Sequence, residues 1–440
     1  MNDQIVTKKP LWRRILRKIF FVGIFLIVAI IASISIWNYR AAKQVDEEIA
    51  KIRKAGEPVT FQDLEARLPK VDQAENANRF YQAGMDLQVY REERELSSKL
   101  AEYAKKNVVP DKETLEKIGK YLEENRLALE MFDRGKELPE CRSEITAKNG
   151  ISVMLPQLSS PRSAARLIAL RSRYLAASGK PDEAVDSIIS SLRFTRVVNE
   201  QTMLIAYLVK IACLGVAHED VKIVLQVSHP SEKSLAKLQQ ELLKTDKPWD
   251  FEKMILAERV YGIETMGVIP IDENNPTQLP ERWSKSLRSS PWLKQESLDY
   301  LRNMSQNVIT SRKPWPEFYN EMLILSPKGM TAKILNPAFA RVAMNVDRGL
   351  ATGRSAYTAV AIARYRLANN KLPEKLSDLV PAYMQKIPMD PFTGKDILYR
   401  HNNESYTVYS AYKNKKDDQG AIESQEALEC KDDGVKINLQ

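Results

Sequence analysis

A chain of 440 residues with 44% hydrophobic composition is long enough for one large or two modest domains with a real core. Its net charge of +9 is concentrated at the start: residues 1–18 hold six cations and one acid, +5, which leaves +4 for the remainder. That thin balance excludes a nucleic-acid surface, which needs Lys and Arg clustered on one element. Cys141, Cys213 and Cys430 are too few and too scattered for a disulfide framework. Cys213 sits in an apolar helix and reads as a buried thiol. A bridge between Cys141 and Cys430 stays open in an oxidising compartment.

The first element is an uncharged apolar run, Ile19 to Trp37, with Lys8, Lys9, Arg13, Arg14, Arg17 and Lys18 before it. At about 1.5 Å per residue a helix of this length spans a hydrocarbon core of ~30 Å. The basic flank predicts a cytoplasmic N-terminus and a translocated remainder. The run exceeds a signal peptide's usual apolar stretch, and its nearest small-x-small pattern, Ser33-Ile34-Ser35, lies inside it. An uncleaved signal anchor is the expectation. A pilin leader needs a Gly before the run and a Glu early within it, and neither is present.

Most of the rest reads as helix. One long helix is expected over about 74–106 and stops at Pro110. Asp111 can cap the next, whose face is Leu115, Ile118, Leu122, Leu129 and Phe132, with Gly135 at its C-terminal stop. Residues 137–160 read as an irregular connection. A helical hairpin follows, from Pro161 to Ser178 and onward from Asp182, turning at Gly179-Lys180-Pro181. No second copy lies about 34 residues away, so a lone hairpin fits better than a repeat array. Met203 to Ala217 is apolar around Lys210 and is expected as a core helix, too short to span a membrane. Residues 267–290 and Pro314-Trp315-Pro316 read as breaks. The last long helix is expected after Asn336-Pro337 and ends at Asn369-Asn370. A short helix is expected over Glu374 to Val380. Asp390-Pro391-Phe392-Thr393-Gly394 is a turn by composition. Ile397 to Arg400, Tyr406 to Tyr409 and Val435 to Leu439 are strand candidates, the first two joined by residues 401–404.

The expected fold is therefore mostly α: an N-terminal transmembrane helix, a helical-hairpin ectodomain, and a small C-terminal antiparallel β-sheet packed after a long helix. The expected divisions are a cytoplasmic basic tail 1–18, a signal anchor 19–37, an α-helical ectodomain 38–336, and a long helix plus sheet 337–440.

Catalytic signals are thin. The histidines are His218, His229 and His401. His218-Glu219-Asp220-Val221-Lys222 matches half a zinc helix and lacks the second His at i+4. Nucleophile-elbow and phosphate-loop motifs do not occur, and Gly is only 16 of 440. Glu258-Arg259 and Glu264 read as a helix-surface charge pair. The expectation is a non-enzymatic protein without a resident cofactor. The rival is a periplasmic ligand-binding protein or a hydrolase with its site in the helical domain. A carboxylate dyad leaves no local motif, so that rival stays open.

Residues 363–400, ARYRLANNKLPEKLSDLVPAYMQKIPMDPFTGKDILYR, and 406–420, YTVYSAYKNKKDDQG, resemble the C-terminal part of the major (G-type) pseudopilin of type II secretion. The shared elements are Tyr365-Arg366, Leu372-Pro373, Leu379 to Pro381, Asp390 to Gly394, and Tyr409-Ser410 before an acidic loop. Residues 56–83 are similar to a group of uncharacterised single-pass bacterial envelope proteins that pair a helical ectodomain with such a tail. The resemblance implies a bacterial inner-membrane protein with its bulk outside the cytoplasm, an envelope protein partner, and a docking role for the tail linked to secretion or pilus-like machinery. Tyr365, Phe392, Tyr399 and Tyr409 are the candidate partner contacts. The family's Gly-rich calcium loop is absent here. Asp417, Asp418, Asp432 and Asp433 are the acids that offer oxygens to a calcium ion, against a plainer reading as a solvated charged tail. A third reading makes the tail a folding cap for the helical domain.

Overall fold

The computed structural model describes residues 11–89, 93–106, 108, 110–142, 160–198, 204–246, 251–265, 290–313, 317, 321–322, 327–422 and 432–439. The chain is mostly helical, with a three-stranded antiparallel sheet after the last long helix. In chain order the helices are α1 (Leu11–Lys54), α2 (Phe61–Ala66), α3 (Asn78–Leu87), α4 (Glu93–Lys105), α5 (Lys112–Glu124), α6 (Arg126–Glu137), α7 (Ser160–Ala177), α8 (Pro181–Phe194), α9 (Leu204–Val227), α10 (Glu232–Thr245), α11 (Phe251–Thr265), α12 (Pro291–Ser311) and α13 (Met330–Asn369). The strands are β1 (Leu398–His401), β2 (Ser405–Ser410) and β3 (Asp433–Asn438), in that order across the sheet.

Helix α1 has two halves of opposite character. From Ile19 to Tyr39 its large apolar side chains are exposed. Among the described residues it is the one helix long and apolar enough to cross a membrane, which is compatible with a single-pass anchor. From Ala41 onward the spacing changes to one apolar face. Ala41, Val45, Ile49 and Ile52 are buried, and this part of the helix packs on α12. The same helix thus runs without a break from its exposed half into the core.

The single helices expected over 74–106 and 111–135 are each two. One residue takes part in both breaks. Asn125 leaves the helical region at φ −96°, ψ 11°, which separates α5 from α6. Its buried Oδ1 accepts a bond of 2.8 Å from the Val89 amide, just past the end of α3, and the Tyr121 hydroxyl donates to the Val89 carbonyl at 2.8 Å. Asp111 does cap α5, accepting from the Thr114 amide at 2.8 Å.

Gly135 is not a helix stop. It lies inside α6, where an added Cβ would stand 2.5 Å from the Tyr81 ring on α3. On α3, Gly84 meets Phe132 of α6 in the same way, at 2.4 Å. Each helix thus offers an aromatic and, three residues later, the glycine that receives its neighbour's aromatic. Overpacking of such a contact costs about 1–3 kcal/mol. Gly135→Ala is expected to lower stability by roughly that amount in denaturant unfolding; an unchanged midpoint would show that Tyr81 has room to move.

The hairpin forms as expected, with Gly179 at φ 74° between α7 and α8. Helix α9 is a core helix, with Tyr207, Cys213, Ala217 and Val221 buried. Helix α13 departs from expectation. It starts at Met330 and runs through Pro337, so the expected boundary at 337 falls inside it. Proline removes a backbone donor there, and tertiary contacts hold the helix across it. The buried Asn336 Oδ1 accepts from Asn303 Nδ2 at 2.8 Å and Asn307 Nδ2 at 3.0 Å, both on α12. The helix ends at Asn370 in the left-handed region, φ 54°.

The stretch after α13 holds a 3-10 turn, Leu376–Leu379, where a short helix was expected. Asp390 then organises the tail. Its buried carboxylate accepts from Phe392 N, Thr393 Oγ1, Ser410 Oγ and Ala411 N, at 2.6–3.1 Å. Strand register pairs Leu398 with Tyr409 and Val408 with Val435. Tyr406, Val408, Val435 and Ile437 form one buried cluster with Ala359, Ala361 and Ile362 of α13, so the sheet lies on that helix. Residues 267–289 of the expected loop and the Pro314–Pro316 break lie outside the described residues. So do residues 143–159 of the connection expected over 137–160.

Candidate functional site

The four aromatic residues named as partner contacts are committed to the interior of the tail or half-buried against it. Tyr409 is buried, accepts a bond from Arg400 Nε at 3.0 Å and donates to Asp417 at 2.8 Å. Burial, with Asp417 beside it, pushes its hydroxyl up to about 12. Phe392 is buried and meets the Tyr412 ring edge-on at 5.1 Å. Tyr365 packs edge-on against Tyr383, and Tyr399 donates to the Pro373 carbonyl at 3.0 Å while stacking on His401. These contacts hold the four rings against the tail itself, where a small sheet needs aromatic side chains for its core.

The four tail acids take separate protein donors. Asp417 accepts from Tyr409 and the Gln419 amide. Asp418 accepts from Asn414. Asp432 is buried and accepts from the amides of Gly420, at 2.9 Å, and Ala421, at 3.2 Å. Asp433 pairs with Arg348 at 2.7 Å. Among the described residues no three His, Cys, Asp or Glu side chains come together as a metal set. In this arrangement the acids tie the ends of the loop to the sheet.

The half zinc motif separates in the fold. His218 is buried against Gly353, and neither ring nitrogen has a partner. It borders a cavity of about 20 Å³ with Asp246 and Arg354, which pair with each other at 2.8 Å. Burial pushes the His218 imidazole down to about 4, so it is neutral at ordinary pH. Asp220 instead faces Arg173, at 2.7 Å, and Ser172, at 3.1 Å, all inside the core. Cys213 is a buried free thiol raised to about 12 by desolvation. Cys141 is likewise a free thiol, raised to about 12 by burial, and Cys430 lies outside the described residues.

Glu258 and Arg259 are not a surface pair. Arg259 is fully buried and bonds Glu57, in the segment after α1, at 2.8 Å. Arg312 joins the same Glu57 at 2.7 Å and Glu252 at 2.8 Å. Glu258 is held by the Leu204 amide at 3.0 Å, and burial raises its carboxyl. This cluster fastens the segment after α1 to α11 and α12.

Two larger concavities lie among the described residues. The larger, about 540 Å³, lies among α6, α7, α8 and α10. Most of its charges are already matched: Arg171 grips Asp133 through two bonds of 2.7 and 2.8 Å, Asp186 holds Lys136 at 2.6 Å, and Asp182 accepts from Ser231 N at 2.8 Å. The smaller, about 290 Å³, lies where the C-terminal ends of α9 and α13 and the start of α10 meet the sheet. Leu225, Leu235, Ala363, Leu367 and Ile437 give it an apolar lining. Ser228, His229, Arg366, Asn370 and Tyr406 add polar groups, and among the described residues no carboxylate lines it.

The fold places these residues for identifiable reasons. Ser231 caps α10 by accepting from the Ser234 amide at 3.3 Å, so the chain turns through Ser228-His229-Pro230 beside the cleft. Asn370 turns the chain at the other edge, its amide bonding the Arg366 carbonyl at 2.8 Å. Two neighbouring arginines on α13 have different fates. Arg364 is spent on Glu232 and Gln239, at 2.6 Å each. Arg366 makes no ion pair or side-chain hydrogen bond among the described residues. Sequence reading missed this cleft, because Lys or Arg in a last helical turn is what the helix dipole favours anyway.

Together these features define a predominantly α-helical chain with one membrane-compatible N-terminal helix and a cleft between its helical body and its terminal sheet. No family model, curated protein or solved structure matches it.

Proposed function

We propose that this protein is a single-pass envelope protein with a non-enzymatic binding role, and that the cleft between helical body and sheet is its binding site. The observation that carries the reading is the cleft itself: an apolar lining, several polar groups, and a cation without an ion-pair partner among the described residues, the make-up usual for a ligand site. The basic residues before Ile19 support a cytoplasmic N-terminus, with the helical body on the far side. The resemblance of residues 363–420 to a pseudopilin tail supports the inner membrane of a bacterium and a link to secretion or pilus-like machinery. With the tail's aromatic rings occupied internally, the seam is a better place for a partner than the face of the sheet.

A photo-crosslinking amino acid placed at Asn370, an exposed position on the rim, tests this in native membranes. Envelope proteins are expected to crosslink there, and Ala363→Trp, which fills the cleft, is expected to abolish the product. Crosslinks that persist in Ala363→Trp, or that match those from exposed Leu127 on α6, would move the binding site elsewhere.

A further inference from the structure

We propose that the cleft recognises the C-terminal carboxylate of a peptide ending in an apolar residue. This rests on the cleft being the binding site and adds what it binds. Charge selects the sign of the ligand: among the described residues Arg366 has no ion-pair or side-chain hydrogen-bond partner, and no acid lines the walls. A guanidinium without a partner presents a planar fork that matches a carboxylate with two parallel bonds. Shape selects the rest. Leu225, Leu235, Ala363, Leu367 and Ile437 form an apolar lining suited to a hydrocarbon side chain beside that fork.

A volume of about 290 Å³ sits at the lower end of ligand pockets, so the occupant inside is the last residue or two of a chain. Ser228 and Asn370 supply the hydrogen-bonding capacity that a terminal peptide group needs and a plain aliphatic acid does not. The Ser228 hydroxyl donates to Val224 O at 2.7 Å and keeps its acceptor lone pairs. Capture of a chain-terminal carboxylate is a known mode of peptide recognition.

The test uses the full chain in lipid nanodiscs and three probes: N-acetyl-Ala-Leu acid, its C-terminal amide, and hexanoate. Calorimetry is expected to show the acid binding about ten- to a hundredfold tighter than the amide, the range for hydrogen bonds to a charged group. Arg366→Gln is expected to erase that difference. Arg366 is partly exposed, so the variant should keep its unfolding midpoint. Acid and amide binding alike, or a preference that survives Arg366→Gln, would overturn the carboxylate assignment. Hexanoate binding as tightly as the peptide acid would overturn the peptide assignment. If the acid binds as tightly to Ala363→Trp as to the unmodified chain, the cleft itself is misassigned. If crosslinking at Asn370 stands while acid and amide bind alike, the cleft holds its place and only the carboxylate is lost.

Discussion

Deletion of residues 371–440 is expected to abolish cooperative unfolding of the remaining chain, not to leave a folded helical domain without its tail. The sheet covers α13 directly. Tyr406, Val408, Val435 and Ile437 are each buried in a cluster that also holds Ala359, Ala361 and Ile362. Polar ties reinforce the seam: Gln239 Nε2 donates to Tyr383 O at 2.8 Å, Arg354 to Met389 O at 2.6 Å, and Asn438 N to Gln226 Oε1 at 2.9 Å. Burial of one large apolar side chain is worth about 1.5–3 kcal/mol. Losing several at once approaches the whole stability of a domain, about 5–15 kcal/mol. Urea unfolding of solubilised full-length and truncated chains, followed by far-ultraviolet dichroism, checks this. A truncated chain that unfolds cooperatively at the original midpoint would return the tail to the role of an independent docking module. Val408→Asp probes the same seam more gently and is expected to shift the midpoint strongly without removing any loop.

Asp347→Asn is expected to stabilise the chain, and to do so far more at pH 7.5 than at pH 4.5. Asp347 lies on α13 with 5% of its surface exposed, and its Oδ2 has no hydrogen-bond partner. Burial pushes its carboxyl up to about 8, and Asp390 adds to the rise, while Arg354 opposes it. The folded chain therefore keeps a proton that the unfolded chain releases near pH 4. Between those values the folded state binds more protons, so its stability falls as pH rises from about 4 to about 8. Asparagine keeps the shape and carries no charge at either pH. At about 1.4 kcal/mol per pKa unit, discounted for local relaxation, the gain at pH 7.5 is on the order of 2–4 kcal/mol. At pH 4.5 it should nearly vanish. Denaturant unfolding of both proteins at the two pH values reads the difference directly, and an equal gain at both would show that Asp347 ionises freely in the folded state.

Local features carried most of the fold into the sequence. The apolar run, the Gly179 turn, the Asp111 cap, the left-handed Asn370 and the three short strands each depend on a few adjacent residues, and each is where the pattern placed it. Three of the misreadings share another cause. Asn125 breaks its helix while bonding Val89, Pro337 is carried inside α13 by Asn303 and Asn307, and Arg259 is buried by Glu57, 202 positions away in sequence. In every case a distant polar partner overrode a local preference. The cleft belongs with these. Its lining comes from residues 225–235, 363–370, 406 and 437, which no sequence window joins. The tail aromatics were read as partner contacts, and the structure packs Phe392 and Tyr409 into the interior of the tail.

As a membrane anchor, helix α1 would set how the body stands. Its exposed apolar half ends at Trp37 and Tyr39, and burial begins at Ala41. With α1 as the anchor, no linker separates bilayer from body, so the body has neither a swivel nor a tether. Its tilt, its rotation about the helix axis and the height of the cleft above the lipid surface are set together by one rod of 44 residues, about 66 Å at 1.5 Å per residue. On the proposed reading a partner would therefore arrive at a fixed altitude and bearing, and torque applied to the body would pass straight to the segment within the bilayer.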